Sequence, residues 1–280
     1  VRYFFYNGGN GSMGTAWEIE QASLRAGHEL HVIGIPKTVD NDLYCTDHTP
    51  GYGSAGRFYA HAVRDMGMDH WSLPSPLLIC EVIGRNVGWI VAATAFARQE
   101  ENDAPHLIYG PETLLPRHKL LADVERVYRR LGRVFVCICE GQLDENGNPF
   151  DADVDRPENP QHRLASNLAH AVSRYVTREL KLRARSERPA LLGRCASFLV
   201  SETDRQEAEL VGRFAVRAAL NGESGKMVAL ERNPGSDYSG SATLVPLQEV
   251  AGRERKMPEE FLTKEENDVS EPYLQYARPR

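Results

Sequence analysis

Apolar runs that end in glycine turns and pass directly into helical patterns recur along this chain, and that alternation restricts the fold more than any other feature. Tyr3-Phe4-Phe5-Tyr6 leads into Asn7-Gly8-Gly9-Asn10-Gly11-Ser12, after which Met13, Ala16, Trp17, Ile19 and Leu24 share one face of a helix ending near Gly27. Glu29 to Ile35 reads as a second strand, stopped by Pro36. A helical pattern covers 54–65; Leu77 to Val82 is a buried strand that turns at Gly84-Arg85 into a helix from Trp89 to near Gln99. A short strand at His106 to Tyr109, a helical stripe (Leu120, Leu121, Val124, Val127, Tyr128, Leu131) and a strand at Val134 to Cys139, ending on Glu140-Gly141, complete the pattern. Such alternation predicts α/β architecture, with parallel sheets covered on both faces.

Asp144 to Pro160, rich in Asp, Asn, Gly and Pro, reads as a surface loop, followed by a helix over roughly 163–182. Thr203-Asp204-Arg205-Gln206 has the spacing of a capping box, and Leu210, Val211, Phe214 and Ala218 form the buried stripe of the helix it opens, with Asn221-Gly222 as the stop. The charged tail from Gly252 is expected on the surface. The chain opens at Val1 on an apolar run, which looks like a cut inside a longer protein.

Composition narrows the function classes. With 280 residues, 41% hydrophobic and 26% charged, the chain can bury a sizeable core. A net charge of −6 argues against a nucleic-acid or membrane-surface role, which needs a large basic excess. No apolar run approaches the ~20 residues of a membrane span, and no secretory layout is present, so a cytoplasmic location is expected. Cys45, Cys80, Cys137, Cys139 and Cys195 are odd in number and read as buried reduced thiols. Cys137 and Cys139 share a strand face, but no second Cys or His pair completes a zinc site.

Three strand ends carry chemistry-bearing residues, and the carboxyl ends of strands are where open α/β sheets bind ligands. Gly8-Gly9-Asn10-Gly11-Ser12 suits a phosphate, because glycines allow close approach and helix-start N–H groups attract the charge; a plain turn is the alternative. Lys37-Thr38-Val39-Asp40-Asn41-Asp42 puts two carboxylates, an amide and a lysine on one loop, which suits a base beside a phosphate-neutralising cation; Asn41 by itself reads as a solvated Asx-turn. Gly84-Arg85 with Glu140-Gly141 adds an arginine suited to phosphate and a carboxylate suited to sugar hydroxyls, although Arg85 also reads as an ordinary surface arginine.

Gly34 to Leu43 resembles the phosphofructokinase loop that holds the catalytic aspartate, and Gly8-Gly9-Asn10-Gly11-Ser12 resembles the family's GGDGS turn at the expected distance upstream. Val82 to Trp89 resembles the MGR segment and the GW that follows it in many pyrophosphate-type members. Ser201 to Ala208 and Gly222 to Val228 match the C-terminal helix and strand. The likeness runs through the whole chain in order. It implies two doubly wound, Rossmann-like parallel-sheet lobes with the first lobe incomplete: 1–109 for the phosphoryl donor, 110–232 for the sugar phosphate, and a tail, 233–280, packing on the first.

By the same resemblance Asp40 is the base for the sugar hydroxyl at carbon 1, Asp42 tunes the site and its metal, and Lys37 balances charge on the donor. Gly9, Asn10, Gly11 and Ser12 hold the donor, with Asn10 at a Mg2+ ligand position where nucleotide-using members carry aspartate. Thr38, Gly84 and Glu140 contact the sugar, Arg85 steadies the phosphoryl group or the sugar, and Arg194 grips the 6-phosphate although Gly193 replaces the family's glutamine. Arg185 and Arg188 both lie near another sugar-phosphate arginine, and the sequence leaves the choice open. Pro76 stands where bacterial members often place an arginine that reaches a neighbouring subunit.

The implied activity is transfer of a phosphoryl group to fructose 6-phosphate, with Mg2+, in a homodimer or homotetramer. Gly11 leaves space where a carboxylate would exclude the ATP α-phosphate, which points to ATP. Lys37 is compatible with either donor, and Asn10 and Gly88-Trp89 resemble the pyrophosphate branch, so pyrophosphate is the alternative. A non-catalytic sugar-phosphate-binding subunit or degenerate paralogue is a reading from another class, motivated by Asn10 and Pro76. A nicotinamide oxidoreductase fits poorly, because the turn lacks GxGxxG spacing.

Overall fold

The computed structural model describes residues 1–150, 167–235 and 238–278. In chain order the elements are β1 (Tyr3–Gly8), α1 (Asn10–Arg25), β2 (His31–Pro36), α2 (Tyr52–Ser72), β3 (Leu77–Val82) and α3 (Trp89–Ala93). They continue with β4 (Leu107–Tyr109), α4 (Arg117–Leu131), β5 (Val134–Cys139), α5 (Leu168–Leu180), β6 (Ala184–Glu187) and α6 (Leu192–Cys195). The last are α7 (Glu202–Leu220), β7 (Lys226–Arg232), β8 (Gly240–Pro246), α8 (Leu247–Val250) and α9 (Glu271–Ala277). No described helix is long and apolar enough to cross a membrane.

Two compact units result, one built from 1–54 and 200–255 and the other from 55–199 and 256–278. These boundaries follow sheet membership, so they fall elsewhere than the expected divisions at 109/110 and 232/233. In the first unit β1 and β2 run parallel, with Tyr3 opposite His31 and Gly8 opposite Pro36. The chain returns after α7 to add β7 beside β2, and β8 pairs antiparallel with β7 at the edge. Period-2 alternation explains why both faces are covered. Val32 joins Met13, Ala16, Met227 and Leu247 on one side, whereas its neighbour Ile33 joins Val211, Ala215, Val228 and Leu230 on the other. Each buried Val, Leu, Ile or Met among them is worth about 1.5–3 kcal/mol relative to exposure.

The second unit holds an all-parallel sheet in the order β4-β5-β3-β6. Every residue of β3 and β5 is buried, as a sheet covered on both faces requires. Leu77, Ile79, Val134, Val136 and Ile138 pack against Leu120, Val124 and Val127 of α4 and Leu168, Val172 and Val176 of α5.

Several expectations change: of the thiols expected to be buried, Cys80, Cys137 and Cys139 on the continuous strands are, whereas Cys45 is half-buried and Cys195 exposed. The helix expected from Trp89 to near Gln99 stops at Ala93 and continues only as a 3-10 turn, Thr94–Ala97, because Arg98 turns extended and binds Asp268 through both terminal nitrogens at 2.8 Å. The N-cap of α7 is Ser201, whose hydroxyl accepts from Asp204 N, so the capping box expected at Thr203 lies two residues earlier. The tail is not simply surface: Met257, Val269, Tyr273 and Ala277 are buried, and the Tyr273 hydroxyl donates to the Trp89 carbonyl at 2.9 Å. Of the expected loop and helix between Asp144 and Leu182, residues 151–166 lie outside the described residues; Asp144 closes the preceding turn by accepting from Asn146 N and Asn148 N.

Candidate functional site

In the first unit two strand ends meet. Gly9 is the N-cap of α1 and carries no side-chain cap, and the first turn contains no acidic residue of its own, so the N–H groups of Asn10, Gly11 and Ser12 open a 16-residue helix without a capping side chain. That arrangement favours an anion. Ser12 folds back over Gly8, where a Cβ would come within 2.0 Å of its hydroxyl, whereas a Cβ on Gly11 would meet nothing within 4 Å. The volume beside Gly11 is open, as the sequence suggests.

The second strand end is the Lys37–Asp42 loop. Lys37 N donates to Gly8 O at 3.0 Å, which joins this loop to the first, and the Lys37 side chain is exposed with no ion pair among the described residues. Thr38 is buried, and its hydroxyl accepts from Asp40 N at 3.1 Å. Asn41 is fully buried rather than solvated: at φ +59 it occupies the left-handed region that Asn tolerates, and its Oδ1 accepts from Thr49 N at 3.0 Å. Thr49 in turn donates its hydroxyl to Thr38 O at 2.8 Å. Asn41 therefore serves the loop's shape, with Asp40 and Asp42 half-buried on either side.

Asn10 and Asp42 are tied together. Asn10 Nδ2 donates to Asp42 O at 3.3 Å and to Asp42 Oδ2 at 3.2 Å. Among the described residues, Asn10 Oδ1 and Asp42 Oδ1 are buried without a hydrogen-bond partner. Two orphaned hard oxygens, one amide and one carboxylate, on side chains hydrogen-bonded to each other fit a cation such as Mg2+, which accepts one or two protein oxygens and completes its shell with water and phosphate. The described residues hold no cluster of three or more His, Cys, Asp or Glu side chains suited to a metal, so a cation here depends on such added ligands.

Residues that sequence reasoning missed hold this loop in place. Asp204 of α7 is buried, and its carboxylate accepts from Gly51 N at 3.0 Å and Ser54 N at 2.6 Å, capping the start of α2. Arg255, hidden in the charged tail, donates Nε to Asn41 O at 3.2 Å, Nη1 to Thr46 O at 3.1 Å and to Asp47 O, and its backbone N to Asp42 O at 2.8 Å. Only its charge is visible locally, and neighbouring charges in the tail look the same.

The second unit carries the remaining candidates. Gly84 N and Arg85 N both donate to Glu140 Oε1 at 3.2 Å, so one oxygen of Glu140 shapes the loop. The chain is tight here: Gly84 has φ +152 and Arg85 φ +52, and a Cβ on Gly141 would lie 1.6 Å from Arg85 O. A non-glycine residue in the left-handed region costs about 1–2 kcal/mol, which the surrounding contacts offset. The Arg85 side chain is exposed.

Between Arg185 and Arg188 the structure draws a distinction. Arg188 Nε sits 2.7 Å from Glu81 Oε1, whose side chain is 2% exposed, and burial pushes the Glu81 carboxyl above its ordinary range. The Arg185 side chain, exposed on β6, has no hydrogen-bond or ion-pair partner among the described residues. The Arg194 side chain on α6 is likewise exposed and without a hydrogen-bond or ion-pair partner among them. Gly193 is buried against Tyr59, where a Cβ would come within 2.4 Å of the ring, so a glutamine has no room.

The family model for phosphofructokinase matches residues 1–219. A pyrophosphate–fructose 6-phosphate 1-phosphotransferase of Halomonas elongata is 35% identical over 100% of this chain and 67% of its own length. One of the same name from Rhodospirillum rubrum is 36% identical over 100% of this chain and 70% of its own. The crystal structure of a pyrophosphate-dependent phosphofructokinase from Marinobacter aquaeolei superposes with a TM-score of 0.87 at 33% identity, covering 100% of this chain and 67% of that one.

Proposed function

The chain belongs to the phosphofructokinase family, and from that premise we propose that it transfers a phosphoryl group from inorganic pyrophosphate to the 1-hydroxyl of fructose 6-phosphate. The observation that carries the reading is the union of the Lys37–Asp42 loop with the start of α1 through Asn10 and Asp42. It joins an anion-attracting helix end, two free buried oxygens and a further carboxylate, Asp40, in one place.

In this reading Asp40 accepts the proton of the sugar hydroxyl as that oxygen attacks the terminal phosphorus, the bridging P–O bond breaks, and orthophosphate leaves. Backbone N–H groups of Gly9 to Ser12 and the Lys37 ammonium hold the pyrophosphate. Asn10 Oδ1 and Asp42 Oδ1 would hold Mg2+, which would supply neutralisation of charge on the phosphate oxygens. Arg185 and Arg194 take the 6-phosphate, because both guanidinium groups are exposed and uncommitted; Arg188, tied to Glu81, is left out of the assignment. Arg85 steadies the phosphoryl group or the sugar, and Glu140 and Thr38 contact the sugar. A homodimer or homotetramer is the expected assembly.

The donor assignment departs from the expectation of ATP. Pyrophosphate is favoured by the names of relatives 35% and 36% identical to this chain and by the exposed Lys37. One observation keeps ATP as a second reading: the open volume at Gly11, which an α-phosphate could use. Phosphorus NMR of the protein with pyrophosphate, fructose 6-phosphate and Mg2+ tests the proposal. The expected outcome is growth of orthophosphate together with a new C1 phosphate ester; orthophosphate without the ester, or no change, refutes it.

A further inference from the structure

The segment from Asn41 to Asp47 has little regular structure, yet four donor contacts from one residue reach it. The Arg255 side chain spans its two ends, with Nε on Asn41 O and Nη1 on Thr46 O and Asp47 O, while the Arg255 backbone N shares the Asp42 carbonyl with Asn10 Nδ2. Beside it, Leu43 and Glu254 form an isolated antiparallel bridge. Asp42 is thus gripped from both sides, and the grip leaves Oδ1 as its one unpartnered oxygen among the described residues. A guanidinium is suited to this task because its planar fork offers donors in fixed directions to several carbonyls at once, which a single ammonium cannot reproduce.

We propose that Arg255 is a positioning residue for phosphoryl transfer: through the Asn41–Asp47 carbonyls it sets the orientation in which Asp42 Oδ1 and Asn10 Oδ1 take up a divalent cation. The inference rests on the function proposed above, but it makes a claim about cation affinity that can be read without turnover. Misplacement of catalytic groups by an ångström can cost about 10²-fold in rate, so the expected effect falls on kcat rather than on sugar-phosphate binding, which draws on arginines elsewhere in the chain.

The experiment measures Mn2+ affinity by electron paramagnetic resonance in the presence of methylenediphosphonate, a non-transferable pyrophosphate analogue, with signals normalised to the folded fraction. Arg255→Met is expected to weaken Mn2+ about 10-fold and to lower kcat about 10- to 100-fold, with KM for fructose 6-phosphate within about twofold. Arg255→Lys should fail to restore the affinity, and Arg253→Met, which removes a side chain stacked on Tyr44, should leave it unchanged. Folded Arg255→Met with Mn2+ affinity and kcat within about twofold of the unmodified protein overturns the proposal, as does loss of kcat that only tracks loss of folded protein. An unmodified protein that binds no Mn2+ overturns it too. Normal Mn2+ binding without turnover of pyrophosphate would instead refute the proposed function and leave the affinity comparison to judge Arg255.

Discussion

The loop after β2 and the loop after β3 both follow buried strand ends, yet they are held in opposite ways. Around Asp40 and Asp42 the holding is done by side chains, two of them from far along the chain: Asn41 accepts from Thr49, Asp204 accepts from Gly51 and Ser54, and Arg255 donates to several carbonyls. Around Arg85 it is done by backbone closeness, with Glu140 accepting two N–H groups and Gly141 passing against Arg85 O. The first arrangement holds short carboxylates, whose direction matters if they carry the proton transfer proposed above. The second carries one long side chain, Arg85, which in the proposed reading needs only a firm base to reach its anion.

That contrast breaks down if the two loops respond alike to substitution. The largest effect is expected at Asp40: Asp40→Asn should lower kcat by ~10²- to 10⁴-fold with little change in KM for the sugar phosphate, as steady-state kinetics will show. Arg194→Ala and Arg185→Ala should do the reverse, raising KM about 10-fold or more with kcat largely kept, while Arg188→Ala should act mainly on stability by stranding the buried Glu81. Equal kinetic effects of Arg185→Ala and Arg188→Ala would remove the distinction drawn between them.

Next comes a pair of glycines. Gly141→Ala places a methyl carbon against the Arg85 carbonyl and should destabilise the protein by about 1–3 kcal/mol in chemical denaturation. Gly11→Ala meets no neighbour and lies in a helix, so it should be neutral or stabilising by up to about 1 kcal/mol.

Much of this framework is legible in the amino-acid order because β3 and β5 are continuous apolar runs, and such runs have few other solutions. β6 escapes notice because its four residues alternate between half-buried and exposed at a sheet edge, leaving no apolar run. The tail escapes for a different reason: Met257 and Tyr273 are buried by partners distant in sequence, including Trp89, amid charged neighbours that dominate any local reading. The site divides similarly. Asp40, Asp42 and Arg85 stand in recognisable turns, but Arg255, Asp204 and the Tyr59 ring that excludes a side chain at Gly193 act only through tertiary contact.

The smallest expected effect is one of pH, and it belongs to the unit that carries Arg85. Burial pushes His106 from 6.5 down to about 4, with its ring accepting from Phe135 N at 2.8 Å. The native imidazole is therefore neutral where an unfolded one takes a proton, so its contribution is full above about pH 6.5 and is lost as pH falls toward about 4. Glu81 and Glu112, pushed up by burial, act in the opposite sense. Comparing the protein with His106→Gln isolates the histidine: the difference in denaturation midpoint should shrink or change sign between pH 7 and pH 5, and a constant difference would contradict the assignment.

The central claim is that the Asn10–Asp42 junction serves pyrophosphate chemistry on fructose 6-phosphate. Its most direct test is kcat/KM for pyrophosphate and for ATP, measured on the unmodified protein with fructose 6-phosphate and Mg2+ under one set of conditions. The account predicts a preference for pyrophosphate of at least ~10-fold, equivalent to about 1.4 kcal/mol in transition-state stabilisation. A preference for ATP would contradict it and make the open volume at Gly11 the decisive feature of the donor site.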